Sequence, residues 1–553
     1  MYSQKSLNHI CINNIPRLLN LIDQNPFSNT YGCFDRNFWH YKIAKDFPSA
    51  TYQQGVLSLA IIYKYNLKNN PYYQDKKIID LISAAINYWQ KIQHRDGSFS
   101  EWYPNERSYV ATSFTSFAIS ETLLILKNVL AKKLLEKTIN HLEKSYYYLK
   151  KQNELFVANH IAADLPFFYN LYLLTKKDKY LLNINNKLKD LKNMHNPEGW
   201  FKEYNGADLG YQTLSIYFLS KYYQKSQNNN IKPLLNSALN FTSYFLHPDG
   251  SFGGEYGSRN TTYFLPAGFA ILSKSNKIAS NIFSWWQKNH PINLPLVSDD
   301  RYFCFFYLPN YLETLIQNTK ASHTNKSFNY LKNFNKAKIL VINNKKYYAV
   351  IGSNKNGVIK IFSQDQKSKL IFSDVGYFAK LPNQKIITSQ FINPRAKIST
   401  KINKDTAIIK IITNLAYIDN ISSSPLIFLF LRIFNLTIGR TNFFSNLLSN
   451  TLKKTKIANK SFSNTKLKRT ITLEKDLVNI KDNIYLNNFF TKFATLSSGS
   501  LLFVPSSKIS PIPTFPILNI DLTEISKRKQ FLTIKQTINF TSNKPKTTCQ
   551  ISH

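Results

Sequence analysis

Three stretches of the chain repeat one pattern: Asp96-Gly97-Ser98-Phe99, Glu198-Gly199-Trp200-Phe201 and Asp249-Gly250-Ser251-Phe252. Their glycines lie 102 and then 51 residues apart, so the underlying unit is 51 residues. Stepping by it lands near Asp46, Tyr147 and Asp300, each ahead of an apolar run, at 51–65, 159–174 and 303–316. A period of this size suits two helices and two connections per unit. Before the first turn, Ile78, Leu81, Ile82, Ala85, Ile86 and Trp89 recur at spacings of three and four, which is one apolar helix face. Six such hairpins curl into an incomplete (α/α) toroid whose turn loops share one rim. Taken singly, each copy is a turn with a buried aromatic anchor.

The pattern changes after a polar run at 322–336. Short, β-branched, alternating segments follow at 338–350, 357–362, 369–372, 385–391, 396–402, 406–412 and 470–480. The expected fold is therefore α+β multidomain: a helical toroid over 1–325, then an antiparallel β-sandwich over 338–553. An insertion at about 425–469 interrupts the sandwich. It opens with Leu426, Ile427, Phe428, Leu429, Phe430 and Leu431 and ends in seven basic residues without an acid from Lys453 to Arg469. Such a segment either lies in a membrane interface or packs on the sandwich, and the exposure of Leu429 and Phe430 decides between them.

Lys and Arg number 71 against 32 Asp and Glu, a formal charge of +39. From residue 338 onward the count is 33 against 9. A field of this sign favours an anionic partner: acidic polysaccharide, membrane surface or nucleic acid. No groove-reading motif is present and the aromatics follow helix periodicity, which argues against nucleic acid. Cys11, Cys33, Cys304 and Cys549 are scattered, with no spacing for a metal or a disulfide framework. Residues 1–26 show no secretory leader, and no run reaches the length of a membrane span. The expected location is cytoplasmic, with peripheral contact at the inner membrane face through 425–469.

The candidate chemistry lies in the repeats. Asn159-His160 opens the run of the unit that lacks its own glycine turn. About one unit later, Glu203, Tyr204, Asp208 and Tyr211 crowd a loop with Gly206 and Gly210, and one unit beyond come Glu255, Tyr256, Arg259 and Asn260. Arg259 offers a bidentate donor for a carboxylate. A toroid followed by a sandwich, with Asn-His in one repeat and a glycine loop ending in tyrosine about fifty residues on, resembles the heparinase II/III-like and alginate-lyase-like polysaccharide lyases. The specific motifs cover about 157–264. The resemblance implies β-elimination on a uronate polymer; that reaction requires no cofactor, and no metal is expected, since the β domain lacks histidines in its expected strands. By position, Asn159 neutralises the uronate carboxylate with His160 beside it, and Tyr211 is the base and acid. Arg259 completes the candidate catalytic set, Tyr204 competes for the base, and Trp102, Glu203, Tyr204, Glu255, Tyr256 and Asn260 are candidate substrate contacts.

Lyases of this kind often take a histidine from the β domain. Here only His323 and His553 lie beyond residue 320, neither in an expected strand. Two other readings stay open. One is a toroidal glycoside hydrolase using Glu101, Glu203, Asp208 or Glu255. The other is a non-catalytic protein that binds anionic glycans in polysaccharide biosynthesis. The acid cluster of terpene cyclases and the zinc set of prenyltransferase toroids are absent from the sequence.

Overall fold

Each repeat glycine sits where only glycine fits. Gly199 has a φ of +104°, and a Cβ there would stand 2.3 Å from the Ser237 carbonyl oxygen of the next hairpin. The turn presses one repeat onto the following one and drives the next aromatic, Phe201, into the core. The Phe201 amide donates to Gln212 Oε1 (3.0 Å), and Gln212 Nε2 donates back to the Gly199 carbonyl (2.8 Å). The glycine turn occurs a fourth time, where no carboxylate precedes the glycine, and there it shares the glutamine clamp of Gly199. At Gly32-Cys33-Phe34, the Phe34 amide donates to Gln53 (2.8 Å) and Gln53 to the Gly32 carbonyl (3.0 Å).

The computed structural model describes residues 4–42, 45–289, 299–319, 329–364, 369–403, 406–418, 424–452, 460–485, 490, 492–495, 519–520, 531–541 and 545–552. His323, His553 and residues 322–328 of the expected polar run lie outside them. Six inner helices, Gly55–Lys64, Tyr109–Leu126, Ala158–Thr175, Leu209–Ser226, Ala267–Leu272 and Leu308–Ile316, pack each on the next, and the last returns to the first. Flanked on both sides, they bury most of their circumference: Tyr109–Leu126 is apolar and long enough for a membrane span, yet 78% of it is buried. Lys76–Lys91, Lys132–Lys151, Lys179–Asn193, Lys232–Thr242 and Lys277–Asn289 lie outside the ring, each with one apolar face inward.

The β region starts earlier than the composition implies, because the polar run contains a strand. β1 (Tyr330–Phe334), β2 (Ile339–Asn343), β3 (Tyr347–Gly352), β4 (Val358–Ser363) and β5 (Leu370–Asp374) form an antiparallel meander. The single strand expected at 338–350 is a hairpin, folded back at Asn344, whose Oδ1 accepts from the amides of Lys346 and Tyr347. β3 and β4 are buried along their whole length, since this sheet is a middle layer. Ile339, Val341, Tyr348 and Val350 join the toroid's core. Leu340, Ile342, Tyr347 and Ala349 face the second sheet.

That second sheet contains β6 (Tyr377–Lys380), β7 (Ile386–Thr388), β8 (Lys397–Ile402), β9 (Ala407–Ile418), β10 (Phe462–Leu473), β11 (Leu477–Tyr485), β12 (Lys492–Thr495), β13 (Asn519–Ile520), β14 (Phe531–Asn539) and β15 (Lys546–Ser552). Its order is β13-β12-β6-β7-β9-β10-β11-β14-β15, with β8 also paired to β9. The expected insertion is therefore shorter than 425–469. Two helices, Pro425–Leu436 and Asn442–Leu452, occupy its start, and its basic end from Phe462 is strand. Lys466 and Lys468 point outward, whereas Arg469 is buried between the sheets.

Candidate active site

Bonds between successive repeats run along one rim. The Ala50 amide donates to the Ser100 carbonyl (3.0 Å), Tyr204 to Phe156 (2.7 Å), and Ser258 to Ala207 (2.8 Å). Arg301 Nη1 reaches Glu101 (3.4 Å), which brings the last repeat to the second. The glycine-bearing loops thus face one opening.

Within the rim, Lys202–Glu203 and Gly206–Ala207 form a two-residue ladder that closes a tight turn. Tyr204 occupies it at a φ of +55°, a conformation that costs a side-chain-bearing residue free energy and occurs preferentially where function requires it. Asp208 then caps the helix Leu209–Ser226. Its Oδ1 accepts from the Tyr211 amide (3.3 Å) and from the Thr261 hydroxyl, and its Oδ2 from the Arg259 amide (2.9 Å). One carboxylate therefore sets the helix turn bearing Tyr211 and the loop bearing Arg259. Gly210 makes the approach possible, because a Cβ there would meet Thr261 Oγ1 at 2.4 Å.

Asn159, in the first turn of Ala158–Thr175, is buried and donates through Nδ2 to both Glu203 oxygens (2.9 and 3.0 Å). Burial, with Asp208 and Glu154 nearby, holds the Glu203 carboxyl well above the usual carboxylate range, against the Asn159 bonds. The neutral acid is favoured, so no negative charge accumulates beside Asn159. The Arg259 guanidinium lies 4.6 Å over the Tyr204 ring, and its Nε has no hydrogen-bond partner among the described residues. Tyr211 is half-buried and edge-on to Tyr263 at 5.8 Å. Burial raises its phenol well above the ordinary value; Tyr302, Tyr204 and Glu203 add to this, and Arg259 opposes it. Burial also raises Tyr204, to about 12, with Arg259 pulling down.

The structure gathers Asn159, Glu203, Tyr204, Tyr211 and Arg259 in this way, with Asn260 beside Arg259 in the same turn at a φ of +59°. His160 turns aside, with Nδ1 on Glu154 (3.0 Å) and its ring between Tyr109 and Phe114. Glu255 forms an ion pair with Lys360 of β4 (2.7 Å). Tyr256 is fully buried, its hydroxyl bonded to His247 (2.9 Å). Trp102 is exposed on the rim, with the Arg301 guanidinium 3.9 Å over its ring. The four carboxylates considered for hydrolysis are all committed: Glu101 to Ser108 and Arg301, Glu203 to Asn159, Asp208 to the cap, and Glu255 to Lys360.

Sequence reasoning passed over three residues. Arg301 and Tyr302 follow Asp300, the last landing point of the repeat, and that spacing was the available signal. Burial pushes Tyr302 to about 12 while Arg301 and Arg259 pull down. Lys355 carried no signal, since Asn-Lys-Asn-Gly reads as a solvated turn. It is fully buried in the turn between β3 and β4, which meets the toroid where Asn354 approaches Gly206. Its Nζ has no hydrogen-bond partner among the described residues. Burial and the Arg259 charge push it down to about 7, against Asp208 and Glu255. Among the described residues no three His, Cys, Asp or Glu side chains are grouped to hold a metal ion.

Toroid, middle sheet and outer sheet together share the fold of two solved structures, a xanthan lyase and a chondroitin AC lyase. Residues 68–265, which include Asn159, Tyr211 and Arg259, match the family model of the ulvan lyase N-terminal domain. Paenibacillus xanthan lyase superposes with a TM-score of 0.52 at 10% identity, over 89% of this chain and 46% of that one. Streptomyces coelicolor A3 chondroitin AC lyase, in complex with chondroitin sulphate, superposes with a TM-score of 0.54 at 9% identity, over 90% and 71%. Heparinase III gives a TM-score of 0.44 at 11% identity, over 90% and 80%. At these identities the likeness is one of fold, and the chain spans under half the length of the xanthan lyase. No curated protein matches it in sequence.

Proposed function

We propose that the chain cleaves an acidic, uronate-containing polysaccharide by β-elimination at the rim that carries Asn159, Tyr211 and Arg259. The observation behind this reading is that three successive repeats, within or beside the matched domain, bring an amide, phenols and a guanidinium around one point. Removing the proton next to a uronate carboxylate builds a second negative charge beside the first. Arg259 and the Asn159 amide, with Glu203 held neutral, supply fixed positive potential for that dianion. Tyr211 takes the proton and returns it to the departing glycosidic oxygen. Arg259 lowers the cost of the phenolate, and the start of the Leu209–Ser226 helix adds to that.

Incubation with ulvan, xanthan and chondroitin sulphate, followed by ultraviolet absorbance of the conjugated enol-acid, tests the reaction. New reducing ends without absorbance would mean hydrolysis; binding without either would mean a glycan-binding protein. Asn159→Ala is expected to lower kcat by about two to three orders of magnitude, as removal of an oxyanion-stabilising donor does.

Lys355 is the cation that the β domain brings to this site, in place of a histidine. A lysine held at about 7 when folded takes up a proton on unfolding at higher pH. Stability therefore rises with pH from about 7 toward the ordinary lysine range, and is lowest below 7. Lys355→Met should remove that slope and stabilise the protein at pH 7 by about 1–4 kcal/mol. It should also lower turnover about tenfold through loss of a preorganised cation. Urea unfolding between pH 6 and 9 measures the first effect; a variant less stable across the whole range would show that the lysine is paired.

A further inference from the structure

The two helices between β9 and β10 are turned inside out. Asn435 and Ser445 are buried, while Leu426, Ile427, Phe428, Ile433 and Phe443 are exposed, with Leu429 at 58% and Phe430 at 67%. The polar side is the docked one. Asn105 Nδ2 donates to the Asn435 carbonyl (3.0 Å), the Arg107 amide to Ser445 Oγ (3.3 Å), and Arg107 Nη2 to the Arg440 carbonyl (3.1 Å). Arg432 forms an ion pair with Asp46. A helix packed on the sandwich would bury its apolar face; this hairpin sits on the toroid rim by its polar face and offers the apolar one outward.

An exposed apolar surface of this extent marks a docking site. Its charge surroundings select the occupant. Between Asp419 and Glu474 the sequence has no acidic residue and nine Lys or Arg, of which Arg469 is buried and Arg432 is paired with Asp46. Strands of the outer sheet add to this. Lys410 on β9, Lys466 and Lys468 on β10, Lys481 on β11 and Lys535 on β14 are all exposed, and Lys481 pairs directly with Lys535. Like charges opposite each other are destabilising unless something anionic lies over them. A second copy of the chain brings its own +39 and is repelled. Exposed apolar helices in a lysine- and arginine-rich segment without acids match a bilayer bearing anionic headgroups.

We infer that the hairpin formed by Pro425–Leu436 and Asn442–Leu452 inserts its apolar face into an anionic lipid surface, holding the rim that carries Trp102 beside the membrane. This docking is independent of whether the chain turns over polysaccharide.

Flotation of the full chain with vesicles tests it, using phosphatidylglycerol–phosphatidylcholine mixtures against phosphatidylcholine alone. The wild type should float with the anionic vesicles, less so as salt rises. The double variant Leu429→Ser, Phe430→Ser should partition about a hundredfold less, since each side chain loses its apolar transfer. Both positions are exposed, so its melting temperature should equal the wild type's. Lys466→Glu with Lys468→Glu should weaken the anionic preference separately. Equal flotation with neutral vesicles, no flotation at low salt, or flotation unchanged in the double variant overturns the inference. Concentration-dependent dimers in sedimentation velocity that the double variant abolishes would do so too, by assigning the face to a second copy.

Discussion

Tyr211→Phe should lower kcat by about 10²–10⁴-fold, the range for losing a positioned acid–base group, while leaving polysaccharide affinity within a few-fold of the wild type. The ring stays and only the hydroxyl goes, so the edge-on packing on Tyr263 survives and the loss is chemical. Because burial raises the phenol, the phenolate is a minor species near neutrality. The rate of the wild type should therefore climb with pH on the alkaline side, with a slope approaching tenfold per unit. Tyr204 is the competitor with a specific claim: Arg259 stacks on its ring and its backbone is strained. Full activity in Tyr211→Phe together with its loss in Tyr204→Phe moves the base to Tyr204. Activity surviving both substitutions removes the elimination mechanism.

The repeat was readable because its glycines answer a geometric demand that no other residue meets, and that demand recurs at a fixed chain length. Gly32 escaped because the turn needs the glycine and the aromatic, Phe34, while the acid that marks the other copies is dispensable. That Asn159, Glu203, Tyr204, Tyr211 and Arg259 share one rim was expected for the same reason, since equivalent positions of neighbouring repeats must meet there; the roles proposed for Asn159 and Tyr211 come from the resemblance.

What sequence could not show depends on partners far along the chain. Periodicity distinguishes a strand buried on one face from a helix, but β2 and β3 are buried on both, and their hairpin merged into one apolar run. Lys355 and Arg469 look like solvated charges among other lysines; only the packing of the toroid on one sheet, and of that sheet on the other, encloses them. The hairpin at 425–452 misleads in the opposite sense. Its apolar residues suggest a packed core element, and its polar residues make the contacts.

Arg469→Ala should destabilise the sandwich by about 3–5 kcal/mol, the cost of leaving buried carboxylates without their cation. Arg469 is fully buried on β10 and joins both sheets. Its Nε and Nη2 bind Asp482 of β11 (2.8 and 2.7 Å), Nη2 also binds Asp374 of β5 (2.7 Å), and Nη1 donates to the Gly357 carbonyl (3.0 Å). The Tyr377 hydroxyl adds a further bond to Asp482. Burial already raises Asp374 against the pull of Arg469. Without the guanidinium that carboxyl should rise further and take a proton on folding. The variant's deficit should then be smaller at pH 5 than at pH 8, because a carboxyl raised in the folded state loses its stabilising contribution as pH increases. Helices and outer sheet need not unfold together, so the sheet transition has to be followed separately, with the toroid's helical signal as internal reference. A combined replacement, Arg469→Met with Asp374→Leu and Asp482→Leu, should recover much of the loss, because an apolar cluster of similar volume costs no desolvation. If Arg469→Ala leaves the sandwich transition within about 0.5 kcal/mol of the wild type, the facing apolar residues alone hold the sheets together.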